Sequence, residues 1–411
     1  MDRTPHVLLF TQGFLPPDQL TGGLRLSVSQ QVHFLAQRWR VTVVSPEILL
    51  PPLPRYARER RMAAQNAADR RDDMNPADLR VLRPRYIHVP LLFVLTEPLQ
   101  LFLIGLWVRL RHARDACVVH GHRLYPMGLA AVLVARASGL PAVITAHGSD
   151  LHTEAIRGPW RSRFWCRWAL HRADRVVAVS RDLFDIARNL GVSEERLRYV
   201  PNGVDVESFE SGDREAGRRA LDLPATGRLI VSVGNLVAVK GHRVLIDAFR
   251  TVRERHQDVT LVIAGEGPLR SELEEQVRSF GLAEHVILFG RVAYDRVPDL
   301  LAAADVVALP SIDEGMPLAA LEALAAGRPL VSSAVGGTRE IVEQDRHGML
   351  VPPGDAAALA TALDAALSRT WDPAVLRERA RQYSWTIIAG KLERIYAEVS
   401  LRGPGPASPD G

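Results

Sequence analysis

Short apolar runs, each closed by glycine, proline or small polar residues, recur along this chain, with longer amphipathic stretches between them. The first run, His6–Phe10, leads into a loop holding Gly13, Pro16, Pro17, Gly22 and Gly23. A helix over Leu24–Gln37 and a second run over Arg40–Val44 follow. Strand, glycine-bearing loop, helix and strand are the opening of a parallel, doubly wound sheet. Further strands are predicted at Cys117–His120, Ala142–Thr145, Arg175–Val179 and Leu197–Val200, with a helix to about Ser138 and another over Arg181–Leu190. The turn Pro201-Asn202-Gly203 and the less patterned Glu207–Gly227 break the rhythm. It restarts with Leu229–Val233, the loop GNLVAVKGH and a helix over Arg243–His256. Strands at Val259–Ala264, Val286–Phe289, Asp305–Leu309 and Leu330–Ser333 continue it, with a helix over Leu269–Phe280. Helices over Ala356–Ser368, Pro373–Arg381 and Thr386–Val399 close it. The pattern predicts an α/β protein of two facing Rossmann-like, doubly wound domains with an interdomain cleft, the usual place for a ligand. Their expected bounds are 1–205 and 206–385, followed by a helix within 386–400 and a disordered tail, 401–411.

Three stretches depart from the alternation. Leu50–Pro90, rich in proline and arginine, reads as an exposed insertion with one short helix around Tyr56–Asp69. Leu91–Val108 is apolar enough to raise the question of a membrane span. Glu97, Pro98 and Gln100 in its middle argue instead for a buried helix, Pro98–Arg114, begun by the proline, with surface docking on a bilayer left open. Gly158–His171 spaces Trp160, Phe164 and Trp168 four apart, with Arg161, Arg163, Arg167 and Arg172 around them. Such a stripe either packs into a core under snorkelling arginines or rests on anionic lipid or an acceptor.

Composition sharpens this picture. With 24% charged and 47% hydrophobic residues the chain is ordinary for a globular protein. Two cysteines, Cys117 and Cys166, make no disulfide framework, and MDRTPHVLLF lacks a signal-peptide layout. A cytoplasmic protein is expected, with a peripheral place on the inner face of the membrane as one option. Residues 1–205 hold 28 basic and 18 acidic side chains, leaving 23 and 29 for the remainder, so the halves carry +10 and −6. A basic first half suits an anionic membrane surface or a phosphorylated acceptor, and equally a plain solvated surface; no motif for reading nucleic acid is present. Of 51 basic residues only Lys240 and Lys391 are lysines, which singles out Lys240 as a compact ammonium in a glycine-bearing loop.

The candidate chemistry concentrates in Leu309–Gly337, a strand end, a loop carrying Glu314, and a helix carrying Glu322 that Gly327-Arg328-Pro329 stops. A helix start beside a strand end is an anion site, here lined by the backbone of Gly315, Met316, Pro317 and Leu318. Carboxylates beside such a site suit a ligand that offers hydroxyls as well as phosphates, as a nucleotide sugar does. On one helix, eight residues would set the two acids about 12 Å apart. Acid–base pairs around a glycosidic bond sit within about 5–9.5 Å. Separate duties follow: Glu322 accepts from ribose hydroxyls, and Glu314 lies by the sugar. Lys240, on an opposing loop, is placed to stabilise a leaving diphosphate. His147 and Asp150 close a buried strand in AHGSD, where ligands bind in such sheets, with His120 and His122 as secondary candidates. A hydrogen-bonded structural histidine is the plainer reading of each. Gly22-Gly23 either admit a diphosphate or only turn the chain. No Asp-x-Asp pair calls for a divalent metal, and nothing calls for a cofactor beyond the nucleotide-sugar substrate.

Together these residues carry a resemblance. Glu314-GMPLAAL-Glu322, preceded by Pro310-Ser311 and followed by AAGRPLVSSAVGGTREIV, occurs with VGNLVAVKG, IAGEGPLR and HGMLVPPGD. The first half adds TAHGSDL, Val179-Ser180 and PNGVD. Over about residues 5–400 the chain resembles the retaining, GT-B-fold glycosyltransferases of family four (glycosyltransferases group 1). The resemblance implies metal-independent transfer of a hexosyl-type sugar from a nucleotide diphosphate sugar to a lipid-linked, oligosaccharide or polysaccharide acceptor. It implies Glu314, His147 and Lys240 as catalytic, and Gly23, Asn235, Glu322, Asp150, Val292 and Gly315–Leu318 as donor-binding. It also implies that the last helix crosses back to the first domain. One departure is Asn235, where many relatives have a phosphate-binding arginine; leaving-group stabilisation would then rest more on Lys240, with another arginine such as Arg339 or Arg25 substituting. A nucleotide-sugar 2-epimerase and a non-catalytic nucleotide-sugar-binding protein are the alternatives.

Overall fold

Val7–Phe10 is wholly apolar because a parallel sheet is covered on both faces. A computed structural model describes residues 4–14, 23–49, 78–87, 93–148, 150–210 and 212–402. The expected short helix around Tyr56–Asp69, Gly22, and residues 403–411 of the expected tail lie outside those. The described chain falls into two compact units. One runs to Pro201 and resumes at Ile388; the other is Asn202–Ile387, and the second crossing falls inside the helix Trp385–Arg402.

The first unit is built on β1 (His6–Phe10), β2 (Arg40–Val44), β3 (Glu47–Leu49), β4 (Leu79–Leu82), β5 (Arg85–Ile87), β6 (Val118–His122), β7 (Ala142–Ala146), β8 (Arg175–Ala178) and β9 (Leu197–Tyr199). Its main sheet is parallel, in the order β4-β2-β1-β6-β7-β8-β9, and β3 pairs with β5 separately. β4 corrects the reading of Leu50–Pro90 as a plain insertion: Leu79–Leu82 is the edge strand beside β2. Register sorts the two faces. Leu9 pairs with His120 and Phe10 with Gly121, so neighbours alternate sides. On the histidine side lie the helices Gly23–Leu35 and Trp385–Arg402, which supply Gln31 and Tyr396. On the Phe10 side Gly105 of the helix Phe93–His112 lies where a Cβ would be 2.6 Å from the Phe10 ring.

That helix differs from expectation in two ways. It begins at Phe93, so Pro98 is internal rather than its start. Nor is it buried all round: Leu101 and Val108 face the core, while Leu99, Leu103, Trp107 and Leu110 are exposed.

The second unit holds β10 (Arg228–Val233), β11 (Val259–Ala264), β12 (Val286–Gly290), β13 (Val306–Leu309), β14 (Leu330–Ser333) and β15 (Gly348–Val351). Their parallel order is β12-β11-β10-β13-β14-β15. Ile230, Leu261, Ile263 and Val306 pack with Leu245, Phe249 and Leu363 from the helices His242–Arg255 and Ala356–Ser368. The sequence from Glu207 to Gly227 is more regular than expected. It contains the helix Arg214–Ala220, capped by Asp213 at 2.7 Å from the Ala216 amide. Strand order reverses between β10 and β13, and the loops beyond their carboxyl ends frame the crevice where ligands bind in doubly wound sheets.

Candidate active site

Two loops of the second unit meet at that reversal. The loop after β10 ends in a tight turn, Ala238–Lys240, followed by Gly241 at φ 68°. A side chain at Gly241 would put its Cβ 2.0 Å from the Pro310 carbonyl, so only glycine lets this loop lie against the one after β13. The Ile312 amide then donates to the Val239 carbonyl at 2.8 Å and locks the two together.

This stitching places Lys240 Nζ 2.5 Å from Glu314 Oε1, and Ser311 Oγ donates to the same oxygen at 2.8 Å. Glu314 is 12% exposed and Lys240 29%, so the pair sits at the mouth of the crevice rather than in the core. Behind Glu314, Gly336 has φ 47° and lies where a Cβ would be 1.9 Å from the Glu314 carbonyl. The Gly337 amide donates to the Gly315 carbonyl at 2.8 Å, and Asn202 Nδ2 to the Met316 carbonyl at 2.8 Å. Gly336 and Gly337 thus hold the Glu314–Met316 segment in place. Pro317, which brings no N–H, precedes the helix Leu318–Ala325, whose N-terminus has no side-chain cap.

Glu322 lies in the second turn of that helix and is buried. Tyr294 Oη donates to its Oε1 at 3.1 Å. Burial pushes the carboxyl up to about 7, against the lowering effect of the tyrosine. Val292 lies in the same loop after β12 as Tyr294. Asn235 is exposed beside Gly234, whose carbonyl would be 1.9 Å from a Cβ at Gly265. Arg339 is exposed on the short helix after Gly337. Arg25 belongs to the first unit, its Nε 2.7 Å from where a Cβ on Gly13 would sit.

A second constellation belongs to the first unit. His120 is buried between Tyr396 Oη at 2.5 Å and Thr145 Oγ1 at 2.8 Å, which makes it a structural group. His122 Nδ1 is 2.9 Å from His147 Nε2, and Gln31 Nε2 is 3.5 Å from His122 Nε2. With the Gln31 amide donating, His122 carries its hydrogen on Nδ1 and donates to His147, whose own N–H is then Nδ1. Burial holds all three imidazoles below the ordinary histidine range, His122 at about 3.

Asp150 supports the loop that carries His147. It is fully buried, and it accepts from the amides of Gly148 at 2.9 Å, His147 at 3.1 Å and Leu124 at 3.3 Å. Burial raises its pKa, opposed by Arg123 and these amides. Arg123 itself holds a positive φ of 69°, rare for any residue but glycine, and pairs with Glu154. Gly23 is the first residue of its helix, and among the described residues outside that helix's own first turn a Cβ there would meet no atom within 4 Å. Among the described residues no group of His, Cys, Asp and Glu is arranged to hold a metal ion.

Comparison with known proteins decides the family. The family model described as Glycosyl transferases group 1 matches residues 213–383, and that described as Glycosyltransferase Family 4 matches residues 21–208. The chain is 32% identical over 310 residues to the phosphatidyl-myo-inositol mannosyltransferase of Mycobacterium leprae, covering 70% of this chain and 75% of that relative. This chain belongs to the group 1 glycosyltransferases. It is also 34% identical over 247 residues to a D-inositol 3-phosphate glycosyltransferase of Xylanimonas cellulosilytica; that match spans 56% of this chain and only 58% of the relative. Among solved structures, sucrose-phosphate synthase from Thermosynechococcus elongatus matches with a TM-score of 0.74 at 22% identity, over 97% of this chain and 100% of that one. Anabaena Alr3699/HepE in complex with UDP and glucose matches with a TM-score of 0.73 at 19% identity, over 95% and 99%. These two show the fold, GT-B.

Sequence reasoning missed several residues that serve the site of this glycosyltransferase. Tyr294 stands 28 residues before the acid it touches. Ser311 and Asn202 were visible only as parts of motifs, and Gln31 carried no signal at all.

Proposed function

We propose that this group 1 glycosyltransferase is a retaining, metal-independent hexosyltransferase. It moves a sugar from a nucleoside diphosphate sugar to a lipid-linked, oligosaccharide or polysaccharide acceptor at an anionic, cytoplasmic membrane face. The Lys240–Glu314 pair at the strand-order reversal carries the reading. Cleavage of the sugar–diphosphate bond leaves its electron pair on the diphosphate, and Lys240 with the uncapped start of helix Leu318–Ala325 stabilises that charge. Glu314 lies beside the carbon that becomes positive. The acceptor hydroxyl passes its proton to the departing diphosphate oxygen as its own oxygen bonds to that carbon. Glu322 accepts from the ribose hydroxyls, and His147, fixed by His122 and Asp150, serves the sugar.

Family membership, relatives named for glycosyl and mannosyl transfer, and a fold neighbour solved with UDP and glucose support this reading. A thermal-shift panel of nucleotide sugars, followed by transfer assays with the donor that binds, tests it. Binding of one nucleotide sugar and acceptor-dependent release of the nucleotide are expected. Release of an isomerised nucleotide sugar without acceptor, or no binding across the panel, would overturn it.

A further inference from the structure

A helix that fills a core with one face ordinarily turns polar side chains outward. The helix Phe93–His112 does not. Leu99, Leu103, Trp107 and Leu110, spaced four, four and three apart, form one outward stripe with each side chain 50–57% exposed. Its one carboxylate, Glu97, is buried and accepts from Tyr86 Oη at 3.0 Å. Arg111 is exposed in its last turn, and Arg114 and Asp115 are exposed just past its end.

A second helix repeats the pattern. Trp160–Arg172 contains no acidic residue, exposes Trp160 and Phe164 at 67% and 54%, and sets Arg161, Arg163 and Arg167 around them in solvent. Its inward side is Cys166, Ala169 and Leu170. Both helices pack on Leu129–Ala137 and on the turn Leu124–Gly128, so they flank one buried helix on the same side of the sheet. The aromatic stripe therefore points away from the core, not into it.

We infer that these two helices form a docking face for an anionic lipid bilayer. This specifies which surface serves the membrane-facing part of the proposed function, and it rests on that reading. Charge selects the occupant. A face with exposed arginines and no exposed carboxylate on either helix repels a second copy of itself. Nucleic acid offers phosphates but nothing for a row of leucines. An anionic bilayer offers both, with headgroups for the arginines and an interfacial apolar layer for leucine and tryptophan. No described helix is long and apolar enough to cross a membrane, so the contact lies along the surface.

Flotation of the full-length protein with phosphatidylcholine vesicles, with and without phosphatidylglycerol, tests this. Wild type should float with the anionic vesicles at low salt and lose most of that binding at high salt. Leu103→Ser with Trp107→Ser should weaken partitioning at least about tenfold without changing the melting temperature. Quenching of tryptophan fluorescence by brominated lipid, reduced in Trp107→Phe, gives the same answer should the double variant fold poorly. No flotation at low salt, or equal flotation of wild type and the serine variant, would sink the proposal. So would a monomer–dimer equilibrium abolished by Leu103→Ser, or flotation that appears only after removal of residues 50–77, which would assign the face to a second copy or to that segment. Transfer to a water-soluble acceptor reads the active site separately. Flotation without any transfer overturns the transferase reading and leaves the docking face standing. Transfer without flotation overturns the docking face and the membrane-facing part of the proposed function, but not the transfer itself.

Discussion

Lys240 Nζ lies 2.5 Å from Glu314 Oε1, although 74 residues separate them in the chain. In the free enzyme each neutralises the other. A diphosphate arriving at this point must compete with the carboxylate for the ammonium. Glu314→Gln removes the competitor, so nucleoside diphosphate should bind at least as tightly as to wild type. Transfer should nonetheless fall by about a hundredfold, since electrostatic stabilisation at a reacting centre is commonly worth that much. Calorimetric titration beside a transfer assay checks this. Weaker binding with normal turnover would place Glu314 on hydroxyls of the nucleotide rather than by the reacting sugar.

Lys240→Ala should lower activity about tenfold or more and weaken nucleoside diphosphate binding together, while circular dichroism stays that of wild type. The pair is part-exposed, so its loss should scarcely move the melting temperature. Turnover near normal would leave the leaving group to another cation, with Arg339 and Arg25 the first to try.

Most strands of the two main sheets were legible because buried parallel strands leave apolar runs such as VLLF. β15 was not, because Gly348–Val351 is a short run hemmed between turn residues. β4 was not, because Leu79–Leu82 stands among prolines and arginines that read as loop. The helix Phe93–His112 misled for the opposite reason. Its outward leucines looked like core, and hydrophobicity alone does not say which way a side chain faces. Within the site, Glu314, Glu322 and Lys240 were legible as charged residues in glycine-rich, otherwise apolar surroundings. Tyr294 and Gln31 were not, because their contacts depend on which strand ends become neighbours.

Glu322 should couple nucleotide binding to protons. Its folded-state pKa is raised from the ordinary 4.5 to about 7, so near neutrality only part of the population is ionised. Ribose hydroxyls donate best to the carboxylate. Affinity should therefore rise as pH increases through about 7, with proton release on binding. Titrations at pH 7 in two buffers of different ionisation enthalpy measure that release. Tyr294→Phe removes the hydrogen bond that favours the ionised form, so the midpoint should move upward. Glu322→Gln should abolish the proton release and cost activity about tenfold or more. Equal heats in both buffers would contradict the assignment.

The histidine constellation should make the fold acid-sensitive. His120, His122 and His147 are all held below 6.5 by burial, so the folded chain stays unprotonated where the unfolded chain takes up protons. Stability is fully present above about pH 6.5 and is lost as pH falls toward the depressed values, by about 1.4 kcal/mol per pH unit for each imidazole concerned. Glu322 works in the other direction between 4.5 and about 7, and Asp150 and Glu154, also raised by burial, do so too. His6 and His242, depressed by burial, add to the imidazole side. Melting temperature should fall between pH 7 and pH 5, and His120→Gln should flatten that slope. A flat profile would mean that these imidazoles protonate without disturbing the fold.

Two glycines separate a structural from a ligand-facing role. At Gly336, φ is 47° and an added Cβ would lie 1.9 Å from the Glu314 carbonyl, so Gly336→Ala must displace the segment that carries Glu314. It should lower stability by at least about 1–2 kcal/mol, the usual cost of a left-handed alanine, and lower activity as well. At Gly23 an added Cβ would meet no atom of the described residues beyond its own helix turn within 4 Å, and the helix it begins prefers alanine to glycine. Gly23→Ala should therefore leave the melting temperature unchanged or slightly raised. If the diphosphate approaches the start of this helix closely, the same variant should raise the KM for the donor several-fold. Melting curves and donor kinetics on the two variants decide it. Unchanged donor kinetics in Gly23→Ala would mean that this glycine only turns the chain.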